Sequence, residues 1–508
     1  MKYLFVLNNA FYLRNYGAVL RALAADGHEI RVAFSLARPG DADLFARVLS
    51  ATPEVALTDA PHRTGWWWAA ADPIRALRDY LHYQQPAFQG ADRLIERASA
   101  RVPRSFRAAV GDRSPKGRRR RFFDALLDAC ERAMPADPGV MDWLHAEQPD
   151  AVLFSPLLDL GYDQVHILKA ARAAGLPTGH LVASWDNLLT KGRIQIAADR
   201  CIVWNAFQRD EATTLHRVDP DRIVVTGAQP YDDWYAWQPS RDRAAFCAEL
   251  GLEPERPIVL YACSAPFICA DEIPVVSRWL EGLRVSGQPG LRGAQIVIRP
   301  HPANAGRWQN ADLGRLGPVV IAPGNPTATI EEADRRSYFD TLTHSDAVVG
   351  INTSVFLEAG ILERPCLAVS DPEITASQTG TLHFRYLADG GLVSHEASAA
   401  QHFARLAEAL EGSWPKERAN EFVTAFLRPH GHDEPALPIA VTAIEDVASI
   451  PARPERRPFW SWPLLAVLWP LAALYLRPRY LARRASRPAP GTVVPPASRR
   501  SASGRSGA

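Results

Sequence analysis

The sequence predicts an α/β protein built from two tandem, doubly wound Rossmann-like domains, with a helical insertion and a C-terminal hydrophobic segment. Three observations predict it. Short apolar runs of strand length recur along most of the chain, they alternate with helix-length amphipathic pieces, and 508 residues are too many for one core.

Residues 2–7 (KYLFVL) form a short, continuously apolar run, as a strand buried on both faces requires. Residues 16–26 have helical spacing and stop at Gly27, a fitting helix C-terminus, and residues 29–34 are strand again. In such a βαβ start ligands bind at the carboxyl ends of the strands, where the loop of residues 8–15 lies. Residues 1–17 do not form a signal peptide, because the apolar run is too short and leads into Asn8 and Asn9. A cytoplasmic location is therefore expected.

Residues 60–145 interrupt the alternation with Trp66, Trp67 and Trp68, long helical stretches, and a basic run from Lys116 to Arg121 that leads into Phe122 and Phe123. We read a helical insertion. Cations beside aromatics suit anionic lipid or a phosphorylated acceptor, but a solvated basic helix end is the favoured reading.

Strand signals resume at residues 151–155, 178–184, 200–204 and 222–227, and residues 231–237 (YDDWYAW) with Pro239 read as a connection. The N-terminal acceptor domain is thus expected to cover 1–235 and the nucleotide-donor domain 236–450. The latter has strands at 258–263, 295–299, 319–322, 347–351 and 366–369. Its last helical region, 398–449, either packs the domains together or crosses back to the first.

Residues 451–480 are expected to associate with a membrane, and 481–508 to form a disordered basic tail. The apolar stretch 459–476 measures about 27 Å as a helix, barely a span, and contains Pro463 and Pro470. Arginines flank both ends, which places both on the cytoplasmic side and favours a re-entrant or interface-lying anchor. A single span and a buried core helix are the alternatives.

The 57 basic and 56 acidic residues leave a formal charge of +1, which argues against a nucleic-acid partner. Six cysteines at 130, 201, 247, 263, 269 and 366 are too sparse for a disulfide framework or a zinc cluster, so each is expected to be a small buried hydrophobe.

The richest motif is VVGINTSVFLE, residues 348–358. A buried strand runs into Asn352, Thr353 and Ser354, residue types that cap helices and leave backbone N–H groups for an anion. Glu358 follows one helical turn later, where a carboxylate can accept two hydrogen bonds from a ribose. Upstream, Ser264 after the strand 258–263 can bond a phosphate oxygen. Arg299 and His301, in the turn RPHP of residues 299–302, can neutralise charge on a leaving diphosphate. In the first domain Asp186, after the strand 178–183, is placed to deprotonate an acceptor hydroxyl, with Asn187 and Lys191 holding the acceptor. Asn9, Arg14 and Asn15 make a candidate acceptor wall. Asp41 and Asp43 follow a turn and not an apolar strand, so no metal site is expected.

With these motifs the chain resembles a GT-B type glycosyltransferase, a fold shared with CDP-glycerol glycerophosphotransferases and UDP-N-acetylglucosamine 2-epimerases, over residues 1–449. The resemblance implies that Arg299, His301, Thr353, Ser354 and Glu358 surround the nucleotide diphosphate and ribose. Residues 350–354 (GINTS) depart from the glycerophosphotransferase pattern, so a sugar is the expected cargo. A metal-independent, cofactor-free transfer from a nucleotide sugar to a lipid-linked or cell-envelope glycan at the inner membrane surface is the leading expectation. A UDP-sugar epimerase and a non-catalytic nucleotide-binding scaffold are the alternatives. The apolar C-terminal stretch counts against the epimerase, which needs no membrane acceptor.

Overall fold

The recurring apolar runs close into two parallel sheets. In the computed structural model, which describes residues 1–111, 117–158, 161–323, 330–471 and 473, the first sheet contains β1 (Lys2–Leu7), β2 (Glu29–Phe34), β3 (Val55–Thr58), β4 (Ala151–Ser155), β5 (Thr178–Leu181), β6 (Arg200–Val203) and β7 (Ile223–Val225). Their spatial order is β3-β2-β1-β4-β5-β6-β7. The second contains β8 (Ile258–Ala262), β9 (Gln295–Arg299), β10 (Val319–Ile321), β11 (Ala347–Gly350), β12 (Cys366–Ala368) and β13 (Val393–His395), in the order β10-β9-β8-β11-β12-β13. Every pairing is parallel. The central strands are sealed on both faces: Leu4, Phe5 and Val6 are wholly buried, as are Val259, Leu260 and Tyr261. The strand order reverses between β1 and β4 and again between β8 and β11, which creates a crevice at the carboxyl edge of each sheet.

The sequence reading missed β3 and β13. Both are short outer strands, one behind Pro53 and the other carrying Ser394 and His395, so neither has the apolar run that marks an inner strand. The strand expected at 178–184 ends at Leu181, and the freed residues turn toward the crevice. Between β3 and β4 lie five helices: Trp68–Tyr83, Asp92–Ser99, Arg104–Val110, Arg118–Ala133 and Pro138–Glu147. Lys116, at the start of the basic run, lies outside the described residues. Five cysteines are buried and Cys269 is partly exposed.

The last helix of the second unit, Ala436–Ala448, crosses back onto the first sheet and adds Val441, Ile444 and Val447 to its core. Gly227 lies where the chain leaves the first sheet, at φ +88°, and a Cβ there would meet the Ala436 Cβ at 2.7 Å. Asp232, just after it, ties the outward and return crossings together. Its carboxylate accepts from Arg428 Nη2 at 2.9 Å and from the N–H groups of Ala436 at 3.1 Å and Leu437 at 2.7 Å. The ion pair is mostly buried, with 8% of the Arg428 side chain and 15% of the Asp232 side chain exposed.

Among the described residues no helix is long and apolar enough to cross a membrane. The hydrophobic C-terminal stretch forms the helix Ser461–Leu471, packed against Arg118–Ala133. Residues 472, 474–476 and the tail expected at 481–508 lie outside the described residues.

Removing one partner of a buried pair leaves an uncompensated charge. Asp232→Ala is therefore expected to destabilise the protein by about 2–4 kcal/mol in denaturant unfolding, more than Arg335→Ala, whose partner Asp233 is half exposed.

Candidate active site

A cleft of about 250 Å³ opens between the carboxyl edges of the two sheets and is lined from both. From the first sheet come Arg14, Asn15 and Asp186; from the second come His301, Asn352, Thr353, Ser354 and Glu358. Residues more than 300 positions apart in the chain thus share one surface.

The turn after β11 is shaped by Gly350, where a Cβ would meet the Ala262 carbonyl at 2.8 Å, so β8 and β11 approach closely there. The Thr353 Oγ1 accepts from the Val355 N–H at 3.3 Å, whereas Ser354, at the helix entry, makes no side-chain cap bond. The helix that follows, Val355–Ile361, has only seven residues. The dipole invoked from sequence is correspondingly short, so an anion at this turn would have to be held by loop N–H groups, hydroxyls and cations.

Glu358 projects into the cleft, partly buried, beneath Tyr338. Burial pushes its carboxyl up to about 7, against the opposing pull of Arg14, Arg299 and the Tyr338 hydroxyl. The Arg299 guanidinium stacks on the Tyr338 ring at 4.4 Å. Burial lowers the pKa of Arg299 and of His301, and Arg14 lowers His301 further. His301 is therefore neutral, and its Nδ1 accepts from the Ala303 N–H at 3.1 Å, which assigns the ring proton to Nε2 as a donor.

On the facing side Asp186 begins the short helix Asn187–Thr190, and its carboxylate accepts from Ser184 Oγ at 2.7 Å and Thr190 Oγ1 at 2.9 Å. Burial alone would raise its pKa, but His383, Lys191 and the two hydroxyls outweigh this and hold it low. His383 was not singled out from sequence. It lies at the start of Leu382–Asp389, bonded through Nε2 to Asn352 Nδ2 at 3.1 Å, and burial lowers its pKa against the opposing pull of Asp186. A lone His between Leu382 and Phe384 carries no motif, so only the fold could reveal it. Tyr231, Arg335 and Tyr338 escaped for the same reason.

Four polar atoms of the cleft lining are buried without a partner: Trp204 Nε1, Asn352 Oδ1, Glu358 Oε2 and His383 Nδ1. Native proteins rarely leave such atoms unpaired.

Beyond Asp186 and His383 the cleft adjoins a second cavity of about 270 Å³, lined by Arg93, Arg97, Lys191 and Phe267 as well. Lys191 thus sits beside Asp186, as expected.

Four expected residues line neither cavity, among them Arg299, whose guanidinium is stacked on the Tyr338 ring. Ser264 is 1% exposed and lines neither cavity. Its N–H is tied to Glu272 Oε2 at 2.7 Å, which draws the residue beneath Ala265. Asn187 is buried at the start of its helix and lines neither cavity. Asn9 uses its side chain to accept from the Phe11 N–H at 3.1 Å, so only Arg14 and Asn15 of the expected wall reach the cleft. Among the described residues no group of three His, Cys, Asp or Glu is arranged to hold a metal.

The raised Glu358 carboxyl has a stability consequence. Because its folded pKa lies above the ordinary 4.5, the native state holds the proton longer, and stability falls as pH rises from about 4.5 to 7. Glu358→Gln is expected to unfold at higher denaturant than wild type at pH 8, by on the order of 1–2 kcal/mol after solvent screening, with the difference vanishing near pH 4.5.

No family model matches the chain. A D-inositol 3-phosphate glycosyltransferase of Kineococcus radiotolerans is 26% identical over 258 residues, 50% of this chain and 54% of that protein; the chain thus spans about half the length of the curated relatives it matches. A protein assigned as a UDP-N-acetylglucosamine 2-epimerase from Listeria monocytogenes superposes with a TM-score of 0.50 at 14% identity, covering 90% of this chain and 98% of that one. The S. aureus MnaA–UDP co-structure gives 0.50 at 12% identity over 90% and 99%. By its two facing parallel-sheet domains the chain has the GT-B fold, shared with these UDP-N-acetylglucosamine 2-epimerase structures.

Proposed function

We propose that the chain is a glycosyltransferase that moves a sugar from a nucleotide donor to a lipid-linked or cell-envelope glycan at a membrane surface. The observation that carries the reading is the meeting of two cavities at Asp186 and His383, one bearing the anion-binding turn and Glu358, the other bearing cations and an aromatic. A transferase needs a donor site and an acceptor site that share the reacting centre. An epimerase works on one substrate in one site.

In this reading the ribose hydroxyls donate to Glu358, while the Thr353–Ser354 turn, Arg299, and His301 through its Nε2 proton receive the diphosphate. As the bond to the sugar breaks, negative charge grows on the leaving diphosphate, and these donors stabilise it. Asp186, ionised and held by Ser184 and Thr190, takes the proton of the incoming hydroxyl. Lys191, Arg93 and Arg97 suit an acceptor that carries phosphate. The UDP in the S. aureus MnaA co-structure and the named activity of the Kineococcus relative support a nucleotide-sugar donor. The aromatic C-terminal helix supports an acceptor presented at a membrane.

The test is incubation with UDP-, GDP-, CDP- and dTDP-sugars. Nucleotide release that rises with added acceptor supports the transferase; an epimerised sugar supports the epimerase, and binding without turnover a scaffold. Asp186→Asn is expected to lower kcat by about 100-fold or more while leaving donor affinity within about threefold by calorimetry; a fully active variant removes Asp186 from the mechanism. Since Glu358 accepts hydroxyls best when ionised, donor KM is expected to rise as pH falls below about 7 while kcat holds, because Asp186 stays charged.

A further inference from the structure

Another large cavity, away from the cleft, shares no lining residue with it. It encloses about 630 Å³ between the helices Trp68–Tyr83, Arg118–Ala133 and Asp163–Ala174, the loop 193–197, and residues 455–458. Eight basic and four acidic side chains line it.

The acids are already over-subscribed. Asp124 is shared by Arg193 and Arg217, Asp128 by Arg78 and Arg132, and Glu131 by Lys169 and the buried Arg75 just behind. Glu455 is taken by Arg172. Arg456 and Arg457, both exposed, have no carboxylate partner among the described residues. Arg78 lines the cavity at 1% exposure with its Nε unpartnered. Burial and the neighbouring Arg193 depress its pKa to about 10, the mark of cationic charge in search of an anion.

Immediately beyond residue 458 begins the apolar C-terminal stretch. The helix Ser461–Leu471 buries Ser461 and Leu465, one turn apart, and packs against Arg118–Ala133. Along the same helix Trp462 is 63% and Trp469 56% exposed, with Phe459 just ahead of it at 88%. The neighbouring helix adds Phe122 at 64%. The Arg457 guanidinium lies over the Trp462 ring at 4.9 Å, so the cationic mouth and the aromatic face are continuous. Tryptophans beside arginines suit the interface between acyl chains and headgroups.

We propose that this cavity receives the phosphate-bearing headgroup of an anionic membrane lipid while the aromatic face of Ser461–Leu471 enters the interface beside it. The phosphate oxygens accept from the exposed guanidinium groups of Arg456 and Arg457. Because the readout is membrane binding, the proposal stands or falls independently of sugar transfer.

The full chain is sedimented with vesicles of phosphatidylcholine alone and with vesicles that also contain phosphatidylglycerol. The expected result is at least tenfold tighter binding to the anionic vesicles, lost on the order of tenfold in Arg456→Ala/Arg457→Ala and restored by the double Lys variant. Trp462→Ala/Trp469→Ala is expected to weaken binding to the anionic vesicles as well. Soluble short-chain phosphatidylglycerol below its micelle concentration should protect the backbone amides of residues 193–197 from hydrogen exchange, and inorganic phosphate should not. All four substituted side chains are exposed, and thermal unfolding at the wild-type temperature verifies that each variant is folded. Equal binding to both vesicles, an anionic preference that survives Arg456→Ala/Arg457→Ala, undiminished binding by the Trp variant, or equal protection by phosphate would each overturn the proposal.

Discussion

The structure depends on one mostly buried carboxylate. Asp232 sits where the chain leaves the first sheet and grips the place where it returns, through Arg428 and the first N–H groups of Ala436–Ala448. A chain that crosses twice between two sheets has two chances to misalign their edges. Tying both crossings at one point fixes the angle at which those edges face, and with it the width of the cleft. The Arg428 guanidinium also lies on the Tyr235 ring at 3.7 Å, so the clasp is packed as well as charged.

The cleft gathers charge in a way neither lobe achieves alone. Arg14 rises from the first lobe and acts on Glu358 and His301 of the second, lowering the pKa of both. Without a cation from across the gap the Glu358 carboxyl, already raised by burial, would be still harder to ionise. The turn after β11 shows the complementary economy: Gly350 admits close approach of β8, and the loop leaves N–H and hydroxyl groups facing the gap.

The insertion, far from decorating the fold, supports Asp186 from below. Asp79 of Trp68–Tyr83 accepts from the Arg193 N–H at 2.9 Å and from Gln195 Nε2 at 2.8 Å, and Tyr83 Oη accepts from the Gly192 N–H at 2.8 Å. These bonds hold the segment that follows Lys191, and so the floor of the second cavity. The same helix sends Arg78 to the separate cationic cavity on its other side.

Much of the architecture was legible in the chain, because parallel strands buried on both faces must be written as apolar runs, and residues 2–7 or 347–351 can be little else. The turn Asn352–Glu358 was legible for a similar reason, since a strand end, a polar turn and a carboxylate one helical turn on are local geometry. What the sequence could not decide was which side chains face one another. Ser264 carries the same promise as Ser354, yet its N–H is drawn to Glu272 and it lies buried beneath Ala265, while His383, without any motif, stands beside Asp186. Local periodicity determines elements and their ends; the meeting of residues 14, 186, 301, 358 and 383 is set by strand order, by the insertion beneath one edge and by the clasp at Asp232, which are relations between segments that no window of sequence contains.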